Sequence, residues 1–246
     1  MISSAYSAEK VVSCGNGHFR MSIHDGTYQL HEGAYGEFKF YQKIAKESGG
    51  PVLDLATGGG RICITLAKAG ITCVGMDASP HSLVIAKKAV AELPQELRGK
   101  ASFIEGDMCD FNFPGRFPLI INAFESFWFI LRMAAIKDLG INEYEWWLGN
   151  EQQKDNEVFM LIYQKAESCI RSIMRSLAPR GKFIIDGPIS HLLFQEEKKE
   201  VAHAWWLDMA DTYKFSVRFA DYNDLNKSVF DLNALHRPDV VIGQKI

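Results

Sequence analysis

The segment Val52-Leu53-Asp54-Leu55-Ala56-Thr57-Gly58-Gly59-Gly60-Arg61 passes from an apolar run through an acidic residue into three consecutive glycines, after which a helical pattern resumes. That order predicts a buried strand, a tight turn and a helix N-terminus. Glycines at 58 to 60 remove the Cβ atoms that would hold a ligand away from the main chain, and the unsatisfied N–H groups of a helix start face the same space. The turn is a candidate ligand cradle.

The residues on either side narrow the ligand. A phosphate-gripping P-loop needs Gly-Lys-Ser/Thr after its glycines, and Arg61-Ile62-Cys63 stands there instead. The dinucleotide fingerprint Gly-x-Gly-x-x-Gly is also unmet, with Ala at 56 and Cys at 63. A second apolar run, Ile71-Thr72-Cys73-Val74-Gly75-Met76, ends at Asp77. A carboxylate at that remove suits the two hydroxyls of a ribose. A nucleoside without a pyrophosphate satisfies both turns.

With these two elements the chain resembles the class I S-adenosylmethionine (SAM)-dependent methyltransferases, whose first motif reads apolar-Asp-x-Gly-x-Gly-x-Gly. Asp54, Ala56, Gly58 and Gly60 stand at those positions, Ala replacing the first glycine, a mild departure of one methyl group. Val74-Gly75-Met76-Asp77-Ala78-Ser79 matches the second motif and Phe103-Ile104-Glu105-Gly106-Asp107-Met108 a third. Pro118 to Phe124 resembles the fourth strand, and Leu177-Ala178-Pro179-Arg180-Gly181-Lys182 the entry to the fifth. The resemblance runs from about residue 36 to residue 187. It implies SAM as the cofactor, cradled by Asp54, Ala56, Thr57, Gly58 and Gly60, with Asp77 and Ala78 at the ribose and Asp107 and Met108 at the adenine. It further implies Arg61 at the SAM carboxylate, Asn122 and Ala123 facing the transferable methyl, and Tyr41, in Phe40-Tyr41-Gln42-Lys43-Ile44-Ala45, closing over the methionine end.

Composition bounds the remaining possibilities. A chain of 246 residues, 47% hydrophobic, is long enough for one substantial α/β core. With 27 basic against 30 acidic residues and no basic run, it shows no footprint for nucleic acid. Cysteines at 14, 63, 73, 109 and 169 include no Cys-x-x-Cys, as expected of reduced, packed thiols. The N-terminus lacks the charged and apolar regions of a leader, and the most apolar stretch, Pro118 to Ile136, is interrupted by Glu125 and Arg132 and reads as a buried strand with its following segment. A cytoplasmic protein with no membrane partner is expected. His24 and His31 lack a third ligand at suitable spacing, so no metal is expected.

Alternating patterns predict helices over 36–47, 61–69, 79–93 and 156–177, and strands over 52–55, 72–76, 101–105, 119–122 and 182–186. Ser79 with Pro80 reads as a capped helix start. The expected fold is α/β and Rossmann-like: a doubly wound, mostly parallel seven-stranded sheet with helices on both faces. Its C-terminal part, with strands near 214–220 and 239–245, matches the family loosely. Residues 1–35 read as an N-terminal lid or cap, and residues 36–246 as the SAM-binding domain, with an aromatic insertion at 138–155 that includes Trp146 and Trp147 as a second candidate lid.

In-line methyl transfer asks mainly for positioning, with aromatic faces to attract a sulfonium and a base where the acceptor carries a proton. Candidate bases are His24, Tyr28, His31, Tyr35 and Glu125, none singled out. Phe127, Trp128, Trp205 and Trp206 are available as aromatic walls, with core packing as their ordinary role. The expected reaction is methyl transfer to N or O of a small molecule, an amine being favoured by acidic and aromatic residues in the two lids. The alternative is non-methyl chemistry on SAM, by aminocarboxypropyl transfer or intramolecular cyclisation.

Overall fold

The computed structural model describes residues 10–14, 17–21, 37–113, 116–123, 126–142, 155–186, 197–221 and 239–246. A hairpin of β1 (Lys10–Cys14) and β2 (Gly17–Met21) stands apart as a two-stranded sheet within the segment expected to be a cap. The alternating unit follows: α1 (Glu37–Ser48), β3 (Val52–Leu55), α2 (Arg61–Lys68), β4 (Cys73–Asp77), α3 (Pro80–Ala91), α4 (Gln95–Arg98) and β5 (Ala101–Glu105). Then come β6 (Phe117–Asn122), α5 (Ser126–Asp138), α6 (Asp155–Ser176), β7 (Leu177–Asp186), α7 (Glu197–Tyr213), β8 (Phe215–Asp221) and β9 (Asp239–Lys245).

Seven strands form one sheet in the order β5-β4-β3-β6-β7-β9-β8. The first five are parallel, and β9 lies antiparallel between β7 and β8. The C-terminal segment, loosely matched in sequence, thus supplies an ordered pair of strands at one edge. The strand order reverses between β3 and β6, which places a crevice at their carboxyl ends, where open α/β sheets bind ligands.

Central strands are apolar because helices cover both faces. All four residues of β3 are buried, and alternation along the strands divides their side chains between two cores. Val52, Leu119, Ile121 and Ile184 pack with Tyr41 of α1 and with Ile62, Leu66 and Ala67 of α2. Leu53, Leu55, Ile120, Phe183 and Ile185 pack on the opposite face with α5, α6 and α7. The aromatics available as ligand walls are drawn into that second core. Phe127, Trp128 and Trp206 are buried, Trp206 stacks on Phe183 at 6.2 Å, and the partly buried Trp205 meets Trp128 edge-on. The apolar stretch from Pro118 resolves into β6 and the helix α5. No helix among the described residues is long and apolar enough to cross a membrane.

Candidate functional site

The β3–α2 turn has the shape its glycines require. Gly58 lies at φ 56° with nothing within 4 Å of where a Cβ would stand, so the main chain there is open to a neighbouring molecule. Gly60, at φ 82°, opens α2, and a Cβ on it would meet the Phe103 ring at 2.7 Å and Ala86 at 3.2 Å. One glycine clears space for a ligand and the other lets the helix sit against the sheet. Ala56 also adopts the left-handed region, at φ 55°. The replacement of glycine there is therefore more than one added methyl group, because a Cβ is strained in that conformation.

Asp77, at the end of β4, fastens the turn. One carboxylate oxygen accepts the N–H of Gly58 at 2.8 Å and the other that of Ser79 at 2.8 Å. Thr57 N–H donates to the Met76 carbonyl at 3.0 Å, a second tie between turn and strand. A carboxylate has about four lone-pair sites, so after these two bonds each oxygen keeps capacity for one hydroxyl. Ser79 then caps α3 by accepting from Ser82 N–H, with Pro80 in the first turn, as expected.

Beneath the turn lies a buried polar cluster. Asp54 is 2% exposed, and the Thr57 hydroxyl donates to it at 2.6 Å. Burial pushes its carboxyl from 3.8 up to about 7; the Thr57 hydrogen bond opposes the shift and the Asp77 charge adds to it. Cys63, in the first turn of α2, lies 3.9 Å from both the Asp54 carboxylate and the Thr57 hydroxyl, and its sulfur is 2.7 Å from that of Cys73 on β4. Arg61, partly exposed at the start of α2, lowers Asp54 by its charge.

Two more strands complete the edge. After β5, exposed Asp107 accepts the Cys109 N–H at 2.8 Å, and Met108 is buried beside it. At the end of β6, Asn122 is fully buried; its amide donates to the Leu55 carbonyl at 3.0 Å, while its Oδ1 has no donor among the described residues. Ala123 follows it, buried, and Ala78 stands exposed after Asp77. Tyr41 is fully buried in α1, and its hydroxyl donates to Asp186 at the end of β7, at 2.8 Å.

The structure thus brings Asp54, Ala56, Thr57, Gly58, Gly60, Arg61, Asp77, Ala78, Asp107, Met108, Asn122 and Ala123 to the carboxyl ends of four neighbouring parallel strands. Asp186, 1% exposed, was not among the candidates. The signal available for it was an apolar run, Phe183-Ile184-Ile185, that ends in a carboxylate as β4 does at Asp77. His24, Tyr28, His31, Tyr35 and Glu125 lie outside the described residues, as do Trp146 and Trp147. The groups present fit a nucleoside: acceptor capacity on Asp77, open main chain at Gly58, and an unsatisfied buried acceptor on Asn122.

Comparison with known proteins agrees with that geometry. Residues 52–139 match a family described as a methyltransferase domain. An uncharacterized methyltransferase of Synechocystis sp. is 39% identical over 90 residues, covering 35% of this chain and 39% of that protein. The magnesium-protoporphyrin O-methyltransferase of Rhodobacter capsulatus is 46% identical over 59 residues, covering 24% of this chain and 25% of its own. The chain therefore spans well under half the length of these curated relatives. Among solved structures, the CcbJ methyltransferase from Streptomyces caelestis superposes with a TM-score of 0.60 at 14% identity, covering 87% of this chain and 97% of that one. The glycopeptide N-methyltransferase MtfA complexed with SAM superposes at 0.55 with 17% identity, covering 87% and 88%. Residues 52–139 thus match a methyltransferase-domain family, and the chain built around them shares its fold with methyltransferases of known structure, one of them complexed with SAM.

Proposed function

We propose that this chain is a SAM-dependent methyltransferase that acts on a nitrogen or oxygen of a small molecule. The observation that carries the reading is the Asp77 carboxylate, fixed by the N–H groups of Gly58 and Ser79 at the mouth of the crevice with one acceptor site left on each oxygen. In this reading Asp77 holds the ribose, Asp107 and Met108 flank the adenine, and Arg61 attracts the carboxylate. Gly58 lets the main chain approach the ligand, and Asn122 and Ala123 stand where the methyl is presented. Bound SAM would supply an electrophilic methyl on a sulfonium. The protein's part is to hold an acceptor in line with it, and alignment of this kind is worth orders of magnitude in rate.

His24, Tyr28, His31, Tyr35 and Glu125 remain the proposed sources of a general base. The acidic overall balance supports a small acceptor over nucleic acid. The names of the matched O-methyltransferase and of the glycopeptide N-methyltransferase support N or O as the atom methylated. The test is incubation with SAM and separate sets of amines, phenols and carboxylic acids, with product analysis. S-adenosylhomocysteine formed together with a methylated acceptor is expected. Methylthioadenosine as the main product would overturn methyl transfer in favour of attack on the aminocarboxypropyl carbon.

A further inference from the structure

Two thiols beneath the glycine turn have no part in the proposed reaction. Cys63 and Cys73 are both fully buried, ten positions apart in sequence, one in the first turn of α2 and the other at the start of β4, with sulfurs 2.7 Å apart. Both are free thiols. A disulfide needs its sulfurs at about 2.05 Å, and these two already stand near that distance. We infer that Cys63 and Cys73 form an oxidative modification site, which a hydroperoxide converts to a disulfide that staples α2 to β4 under the turn.

Access comes from the helix end. Gly60 caps α2 in a left-handed conformation and makes no side-chain capping hydrogen bond, and the helix is only eight residues long. Reaction there requires a transient local opening of the first turn of α2, which carries Cys63 among the buried residues Ile62, Ile64 and Leu66. In the closed form burial raises both thiols above their ordinary range, which keeps the resting pair unreactive. On opening, the Cys63 thiolate attacks one oxygen of the peroxide; the O–O bond breaks, the other oxygen leaves as hydroxide and takes a proton to become water. Cys63 is then a sulfenic acid. On reclosure the Cys73 sulfur attacks the Cys63 sulfur, the S–O bond breaks, and the hydroxyl leaves as water with the Cys73 proton. Two thiols and one peroxide give one disulfide and two waters.

The disulfide lies across the base of the turn, between the strand that carries Asp77 and the helix that begins at Arg61. Joining them removes freedom from the unfolded chain.

The whole protein is treated with hydrogen peroxide under native conditions, quenched, denatured, alkylated with iodoacetamide and mapped without reduction, and its melting is compared with that of protein held in dithiothreitol. The expected result is a Cys63–Cys73 linked peptide and a Tm raised by about 4 °C or more. Cys63→Ala and Cys73→Ala each lose the linked peptide and the rise, and Cys109→Ala keeps both. Cys63 and Cys73 that both remain open to alkylation after peroxide, or a link that forms with a fall in Tm, would overturn the inference.

Discussion

Replacing Asp54 by Asn isolates the cost of a carboxylate buried beneath the glycine turn. The substitution keeps the shape, and Oδ1 can still accept the Thr57 hydroxyl that reaches Asp54 at 2.6 Å. Burial raises the Asp54 carboxyl from 3.8 to about 7, so the folded protein binds this proton more tightly than the unfolded chain does. The stabilising contribution is fully present below about pH 4 and is lost as pH climbs through about 7. Each tenfold gain in proton affinity on folding is worth about 1.36 kcal/mol, so the whole effect is about 4 kcal/mol, of which about 2 kcal/mol falls between pH 5.5 and 8. Titrating groups remote from Asp54 act equally in both proteins, so the difference between the two stability profiles reports Asp54 together with its coupling to Asp77 and Arg61. Urea unfolding at intervals from pH 5.5 to 8 should show wild type losing about 2 kcal/mol relative to Asp54→Asn, or about 4–8 °C in Tm for a chain of this size. Parallel profiles would refute a carboxyl that titrates near neutrality.

Asp77→Ala should weaken S-adenosylhomocysteine binding by about 10- to 100-fold, the worth of hydrogen bonds to a charged acceptor; titration calorimetry checks it, and unchanged affinity would remove Asp77 from the ribose. Ala56→Gly relieves a side chain held at φ 55° and should stabilise the fold by about 1 kcal/mol, read as a rise in urea midpoint. Tyr41→Phe takes a donor from buried Asp186 and should cost about 1–3 kcal/mol; an unaltered unfolding midpoint would show that the bond carries no stability.

The parts of this molecule written in local pattern were legible in its sequence. Continuous apolar runs mark β3, β4, β6 and β7 because both faces of those strands are covered, and Ser79-Pro80 marks the start of α3 because capping is a matter of adjacent residues. Asp77 was legible for the same reason: a carboxylate at the end of an apolar run must lie at the end of a strand. Pairings over distance were not. Tyr41 meets Asp186 across 145 positions, and no local spacing announces it. The hairpin of β1 and β2 and the helix α7 were also missed. The pattern of α7 is obscured because Trp205 and Trp206 stand side by side, only the second fully buried. The strain at Ala56 was hidden because a single letter reveals the side chain and not the φ it must adopt.

The bond from Asn122 to Leu55 governs how the crevice opens. Main-chain pairing of β3 with β6 proceeds through Val52 with Leu119, Leu53 with Ile120 and Asp54 with Ile121. Beyond that point a side-chain amide reaches across to the Leu55 carbonyl. A main-chain rung would hold the two ends at ladder spacing, whereas a rung made by a side chain tethers them at a width set by the length of that side chain. Where the chain departs toward opposite faces, this one side chain is the tie between the two strand ends, and Asn122→Ala removes it. The tie at the mouth is in this way made by a side chain and lies outside the main-chain register of β3 with β6.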